Sequence, residues 1–112
     1  MGQTDQLPPH EQQAVADYFD GDAEFYRVFR ASAVQQFPLD LQEGDAAVQA
    51  GDAQALRRAA HTLKGVLLTL GYAELSACAK QVELAAQQAP WDEAVAGWRE
   101  LRARLVAAFG LA

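Results

Sequence analysis

A single cysteine, Cys78, excludes any disulfide within the chain and agrees with a reducing compartment such as the cytoplasm. Positive charge is also scarce. Nine Lys and Arg stand against fifteen Asp and Glu, a net charge of −6. Duplex binding wants clustered cations along the phosphate backbone, so no nucleic-acid partner is expected. The apolar stretches are short and interrupted, and none is predicted to cross a membrane. The N-terminal stretch from Met1 to Gln13 lacks the apolar segment of a secretory signal. Gln6 stands where a myristoylation signal needs Ser or Thr. The two histidines, His10 and His61, are far apart and form no metal-ligand spacing with each other or with Cys78, so no metal site is predicted. No serine-nucleophile elbow and no glycine-rich nucleotide loop is present, and the chain is too short for an ATP-binding kinase domain. Two-residue alternation with β-branched enrichment is missing as well, so no strand is predicted.

What is present is apolar residues at helical spacing. About half of the 112 residues are apolar, enough for the core of one domain over residues 1–112, with 1–8 as a flexible tail. A short first helix is predicted over Pro9–Phe19, with Val15, Tyr18 and Phe19 on its inner side. Asp20-Gly21-Asp22 breaks it, and Asp22 caps the next helix. That helix runs to about Gln36 on a stripe of Phe25, Val28, Phe29 and Ala33. Pro38 then kinks the chain or restarts a helix that continues to Ala50. Gly44 sits where a larger apolar residue is expected, which means close packing or a weak point. Gly51-Asp52 ends one helix and caps another, over Ala53–Leu70. After Gly71-Tyr72 a fourth runs over Ala73–Gln88, with Leu75, Cys78, Val82 and Ala85 inward. After Pro90 a last helix carries Trp91, Val95, Trp98, Leu101, Leu105 and Phe109 at three-to-four spacing. Trp91, Trp98 and Cys78 are read as core, and His10 as surface. The predicted fold is all-α: an up-down antiparallel four-helix bundle, its second helix kinked near Pro38, with the short first helix capping one end.

On a helical wheel of Ala53–Leu70, residues Leu56, Ala59, Ala60, Leu63, Val66, Leu67 and Leu70 form the core stripe. His61 falls on the opposite side, about 140° from Leu56. Its neighbours at three and four residues are Arg57, Arg58, Lys64 and Gly65, and Leu68 shares the outward face. A neutral imidazole is a nucleophile near neutral pH, and nearby cations offset the charge of an attached phosphoryl group. Gly65 lets a second protein come close, at a helix cost of about 1 kcal/mol against Ala. Leu68 exposes apolar surface as a docking patch does. By itself this face is equally a solvated helix surface with one histidine.

The string Ala60-His61-Thr62-Leu63-Lys64-Gly65, followed by Leu70-Gly71, resembles the signature of histidine-containing phosphotransfer (HPt) domains. The stretch from Ala50-Gly51-Asp52 through Leu56-Arg57-Arg58-Ala59 fits the same family, as do Pro38 and the Leu75–Val82 stripe. The resemblance spans roughly Asp22 to Phe109. It implies that His61 is the phosphoacceptor, reacting through Nε2, that Lys64 contacts the phosphoryl oxygens, and that Gly65 leaves room for a partner. That partner is the receiver domain of a response regulator or of a hybrid sensor kinase. The receiver brings the aspartate and the Mg²⁺, and this chain binds no cofactor. The chain is then a cytoplasmic phosphocarrier of two-component signal transduction, monomeric by default, either free-standing or part of a hybrid kinase.

Because the hairpin turns near Gly71, His61 is level with Val82 and Glu83. In similar domains a Gln or Glu at this position holds the second imidazole nitrogen, so Glu83 is expected to orient His61. The alternative is an ordinary solvated carboxylate. Val66-Leu67-Leu68-Thr69 departs from the small residues common in the family, and Leu68 on the docking face either restricts which receivers fit or forms part of one specific interface. A non-phosphorylated helical module that binds or sequesters a receiver domain is the competing functional reading.

Overall fold

The computed structural model describes residues 7–111. It contains five α-helices: α1 (Pro9–Tyr18), α2 (Ala23–Ala50), α3 (Ala53–Leu70), α4 (Ala73–Gln88) and α5 (Trp91–Phe109). No strand occurs among the described residues. Most of the expected N-terminal tail lies outside them. Leu7 and Pro8 are described. Leu7 packs against the core and accepts a hydrogen bond from the Gln12 amide, while Pro8 forms the N-cap of α1.

The helix boundaries follow from local chemistry. The Asp22 carboxylate accepts the Phe25 N–H at 3.0 Å, and the Asp52 carboxylate accepts the Ala55 N–H at 3.0 Å. Each thereby satisfies a donor the first turn leaves open. Gly71 closes α3 at φ 93°, where a side chain is strained. A Cβ at Gly71 would also run into the His10 carbonyl oxygen, so α1 seats directly on this turn.

The second helix corrects the sequence reading. It is one unbroken helix of 28 residues through Pro38, with no restart there. Proline's fixed φ suits a helix, and what is lost is one intrahelical bond, to the carbonyl four residues back. Pro38 stands on the exposed side of α2. The predicted stripe also shifts. Phe29 and Ala33 pack on the core, and Leu41, also expected inward, is buried, but Phe25 and Val28 are 57 % and 63 % exposed, and Tyr26, Phe37 and Ala47 are buried instead. Neighbouring aromatics at 25 and 26 lie about 100° apart on a helix, and the pattern admitted either as the inner one. In α1, Ala14 and Val15 are buried and Tyr18 is half exposed; Phe19, just past the helix end, is buried as expected. Trp98, Leu101 and Leu105 form the buried line of α5, and Trp91 packs on the core from its margin. Gly44 is resolved as close packing, since a methyl group there would overlap the Trp98 indole.

Buried polar bonds fix which helix ends meet. The Tyr26 hydroxyl donates to the Leu70 carbonyl at 2.7 Å, which brings the start of α2 to the end of α3. Trp98 Nε1 and Arg102 donate to Asp45, and Phe37 meets Phe109, so α2 and α5 also run in opposite directions. Near Gly71, Glu11 is buried against Arg30 and the Tyr72 hydroxyl and clasps α1 to α2 and to the α3–α4 turn. Burial, with the Glu11 charge beside it, holds the Tyr26 phenol well above its ordinary range.

Candidate functional site

Helix α3 buries Leu56, Ala59, Ala60, Leu63, Leu67 and Leu70, all on one side. Val66, expected in that stripe, lies at its edge and is half-buried. His61 projects from the opposite side, with its side chain 61 % exposed. Helix α4 lies antiparallel along α3 and anchors through buried Leu75, Ser76, Ala79 and Val82. Glu83 follows Val82, about 100° around the helix, which turns it to the seam with α3.

There Glu83 meets two of the predicted residues at once. Its Oε2 is 2.8 Å from His61 Nδ1, and its Oε1 accepts a bond from Lys64 Nζ at 2.8 Å. The Glu83 side chain is 13 % exposed, far less than the imidazole it holds. The bond from Lys64, with that from His61, holds its carboxyl below the usual carboxylate range despite partial burial. An ionised carboxylate only accepts hydrogen bonds, so Nδ1 carries the proton in the neutral ring. The lone pair is then on Nε2, the nitrogen turned away from Glu83.

The other predicted residues fall around this pair. Gly65 is exposed, and a Cβ there would meet nothing within 4 Å, so no internal packing demands a glycine. Leu68 is 47 % exposed. Arg58 is exposed and Arg57 half-buried, and neither has an ion-pair partner among the described residues. The Lys64 ammonium is paired with Glu83.

Three nearby features were not anticipated from sequence. Ser76 is buried on α4 and donates to the Lys64 carbonyl at 2.8 Å. Thr69 donates back to the Gly65 carbonyl at 3.0 Å. The exposed Phe25 and Val28 of α2 lie roughly level with Leu68, given the Tyr26–Leu70 bond. A serine within the Ala- and Leu-rich α4, seven residues before Glu83, was the available signal for the first.

His61 lines neither the groove of about 490 Å³ between α4 and α5 nor that of about 240 Å³ between α2 and α3. An imidazole on a convex helix surface suits a macromolecular partner better than an enclosed small molecule. Among the described residues no three His, Cys, Asp or Glu side chains group to hold a metal ion. No helix there is long and apolar enough to cross a membrane. Burial raises the Cys78 thiol above its ordinary range, away from thiolate chemistry. His10 is exposed, edge-on to the Tyr72 ring.

A family model described as Hpt domain matches residues 24–108. No curated protein and no solved structure matches the chain.

Proposed function

Because the chain belongs to the Hpt domain family, we propose that it is a histidine phosphotransfer protein of a two-component phosphorelay, taking a phosphoryl group on His61 from a receiver-domain aspartate and passing it to another response regulator. The observation that carries this reading is the exposed imidazole whose Nδ1 lies 2.8 Å from Glu83; this supports reaction through the other nitrogen, Nε2. The Nε2 lone pair forms the new bond to phosphorus, and the phosphorus–oxygen bond to the aspartate breaks, with the pair leaving on the aspartate carboxylate. The ring becomes a phosphoimidazolium, and its Nδ1–H stays on Glu83, whose charge offsets that of the ring. Lys64, Arg57 and Arg58 supply positive charge beside the attached group, with Lys64 as its contact. Mg²⁺ belongs to the receiver, and no cofactor is assigned to this chain. The protein is a phosphocarrier and not an ATP-dependent kinase.

The four long helices are read as an up-down bundle with α1 across the Gly71 end. The docking face combines the open space at Gly65 with Leu68 and with Phe25 and Val28 of α2. This apolar strip lies toward the Leu70 end of α3, beside the cations Arg57, Arg58 and Lys64, and suits an acidic receiver site with an apolar margin. A cytoplasmic monomer accords with this role.

The experiment is incubation with phosphorylated receiver domains. Acid-labile, base-stable label is expected on the wild type and none on His61→Gln. Label that persists in His61→Gln overturns the assignment. The exposed Leu68, Phe25 and Val28 also favour a second reading, a helical module that binds a receiver without carrying phosphate. Stable complex formation without label on any receiver would establish that one instead.

A further inference from the structure

We propose that Ser76 is a positioning residue for His61, acting through the register of α4 on α3. This deepens the phosphotransfer reading and rests on it for its effect on rate. Helix α4 grips Lys64 at two points. The Ser76 hydroxyl bonds its carbonyl oxygen at 2.8 Å, and Glu83 bonds its ammonium at 2.8 Å. Ser76 and Glu83 are seven residues apart, two helical turns and about 10 Å along the axis, so they lie on nearly the same face. The second Glu83 oxygen then reaches His61. One line of three hydrogen bonds thus runs along the seam, and Ser76 is its buried end.

The rest of the seam is apolar: Ala60, Leu63 and Leu67 of α3 face Leu75, Ala79 and Val82 of α4. Apolar contact is non-directional and resists separation better than it resists a small slide or rotation. Directional bonds set the register. Glu83 alone does so poorly, because both of its partners are flexible, partly exposed side chains. Ser76 bonds backbone from a short side chain that is only 6 % exposed. Its loss leaves no orphaned acceptor, because the Lys64 carbonyl keeps its intrahelical bond within α3. The fold therefore survives Ser76→Ala while the register loosens.

The test uses the full chain, ¹⁵N-labelled at histidine, as wild type and Ser76→Ala, read by imidazole NMR at a pH where the ring is neutral. The wild type is expected to hold the proton on Nδ1 alone. Ser76→Ala is expected to show a mixture of tautomers with faster exchange of that proton. Label uptake from a phosphorylated receiver domain is expected to fall about tenfold, within the range that sub-ångström to ångström misplacement produces. An unchanged imidazole spectrum in Ser76→Ala overturns the proposal, whatever the variant does to melting temperature, because a purely packing role moves stability and not the tautomer. If Ser76→Ala does not fold, Ser76→Cys, nearly isosteric with a weak donor, carries the same comparison. The tautomer readout needs no partner. A shift in tautomer together with no label on the wild type supports the positioning role and overturns the phosphotransfer reading separately.

Discussion

Glu83→Gln keeps the shape of the side chain and removes its charge. The carboxylate accepts two hydrogen bonds, from His61 Nδ1 and from Lys64 Nζ, each at 2.8 Å. An amide has one accepting oxygen and one donating nitrogen. With the oxygen toward His61, the NH₂ group confronts the Lys64 ammonium, donor against donor. Flipped, the NH₂ donates to Nδ1, forces the ring proton onto Nε2 and removes the nucleophile's lone pair. Either arrangement weakens the site. Hydrogen bonds to charged groups contribute about 1.5–3 kcal/mol. With the imidazole 61 % exposed, water recovers part of this, leaving about 1–2 kcal/mol at the reacting ring. At about 1.4 kcal/mol per factor of ten, phosphoryl uptake falls on the order of tenfold. Global stability changes little, by about 1 kcal/mol, because Lys64 stays 30 % exposed and its ammonium keeps access to water when the pair is lost. The pH dependence has a definite sign. The Glu83 carboxyl titrates below its ordinary range in the folded protein, through the Lys64 bond first and the His61 bond after it. Its contribution is complete above the ordinary carboxylate range and disappears as the pH falls through the lowered folded value. Melting of Glu83→Gln should therefore depend less on pH in that acidic window than melting of the wild type. Single-turnover label transfer checks the rate, and thermal melts from acid to neutral pH check the linkage. Wild-type transfer in Glu83→Gln refutes the idea that the carboxylate sets the tautomer.

Gly65→Ala meets no atom within 4 Å and gains about 1 kcal/mol of helix propensity, so its melting temperature should rise, whereas Gly65→Trp should fold and lose label transfer. A bulky residue tolerated at 65 without loss of transfer would mean that partners do not approach there. Gly44→Ala drives a methyl group into the Trp98 indole and should destabilise by about 1–3 kcal/mol, read from denaturant melts; unchanged stability would refute the close-packing account. Asp40 is buried, and its burial holds the carboxyl above the ordinary range, with the weak Gln36 bond opposing. Asp40→Asn should raise stability at neutral pH, with the advantage shrinking on acidification as the native carboxyl takes up its proton. An Asp40→Asn that melts below wild type at neutral pH would show that the charge is needed.

Helix existence and type were legible because composition, caps and spacing agreed. Asp22, Gly51-Asp52 and Gly71 mark boundaries by mechanisms confined to a few residues. The face of α3 was equally legible, since one side is continuous apolar surface and His61, Lys64, Gly65 and Leu68 share what is left. The inner face of α2 was not. Phe25 and Tyr26 compete for the core, and the deciding contact is the Tyr26 hydroxyl on the Leu70 carbonyl, forty-four residues away. Pairings of that kind leave little trace in local sequence. Buried Glu11, with Arg30 and Tyr72, and Asp45, with Trp98 and Arg102, look like ordinary surface charges until the chain is folded. Glu83 was within reach only because the hairpin is short: counting equal distances either way from the turn at Gly71 sets it level with His61.

That dependence on level explains why the site is divided between two helices. A single α-helix puts side chains three and four residues apart side by side, all leaning toward its N-terminus. A carboxylate on α3 itself would approach His61 along the same slope, competing with Arg57 and Arg58 below and with Lys64 above. From the antiparallel α4, the Glu83 side chain leans the opposite way and meets His61 and Lys64 from the flank. It can bond both while the outward surface stays clear. The arrangement engages Nδ1 with Glu83 and leaves Gly65 exposed on the outward surface. It also makes the chemistry sensitive to the seam between α3 and α4. A substitution that slides the seam without melting either helix should therefore be silent in circular dichroism and visible in transfer. A mutational scan of α4 that found losses of transfer only in proportion to losses of helix content would count against this division of labour.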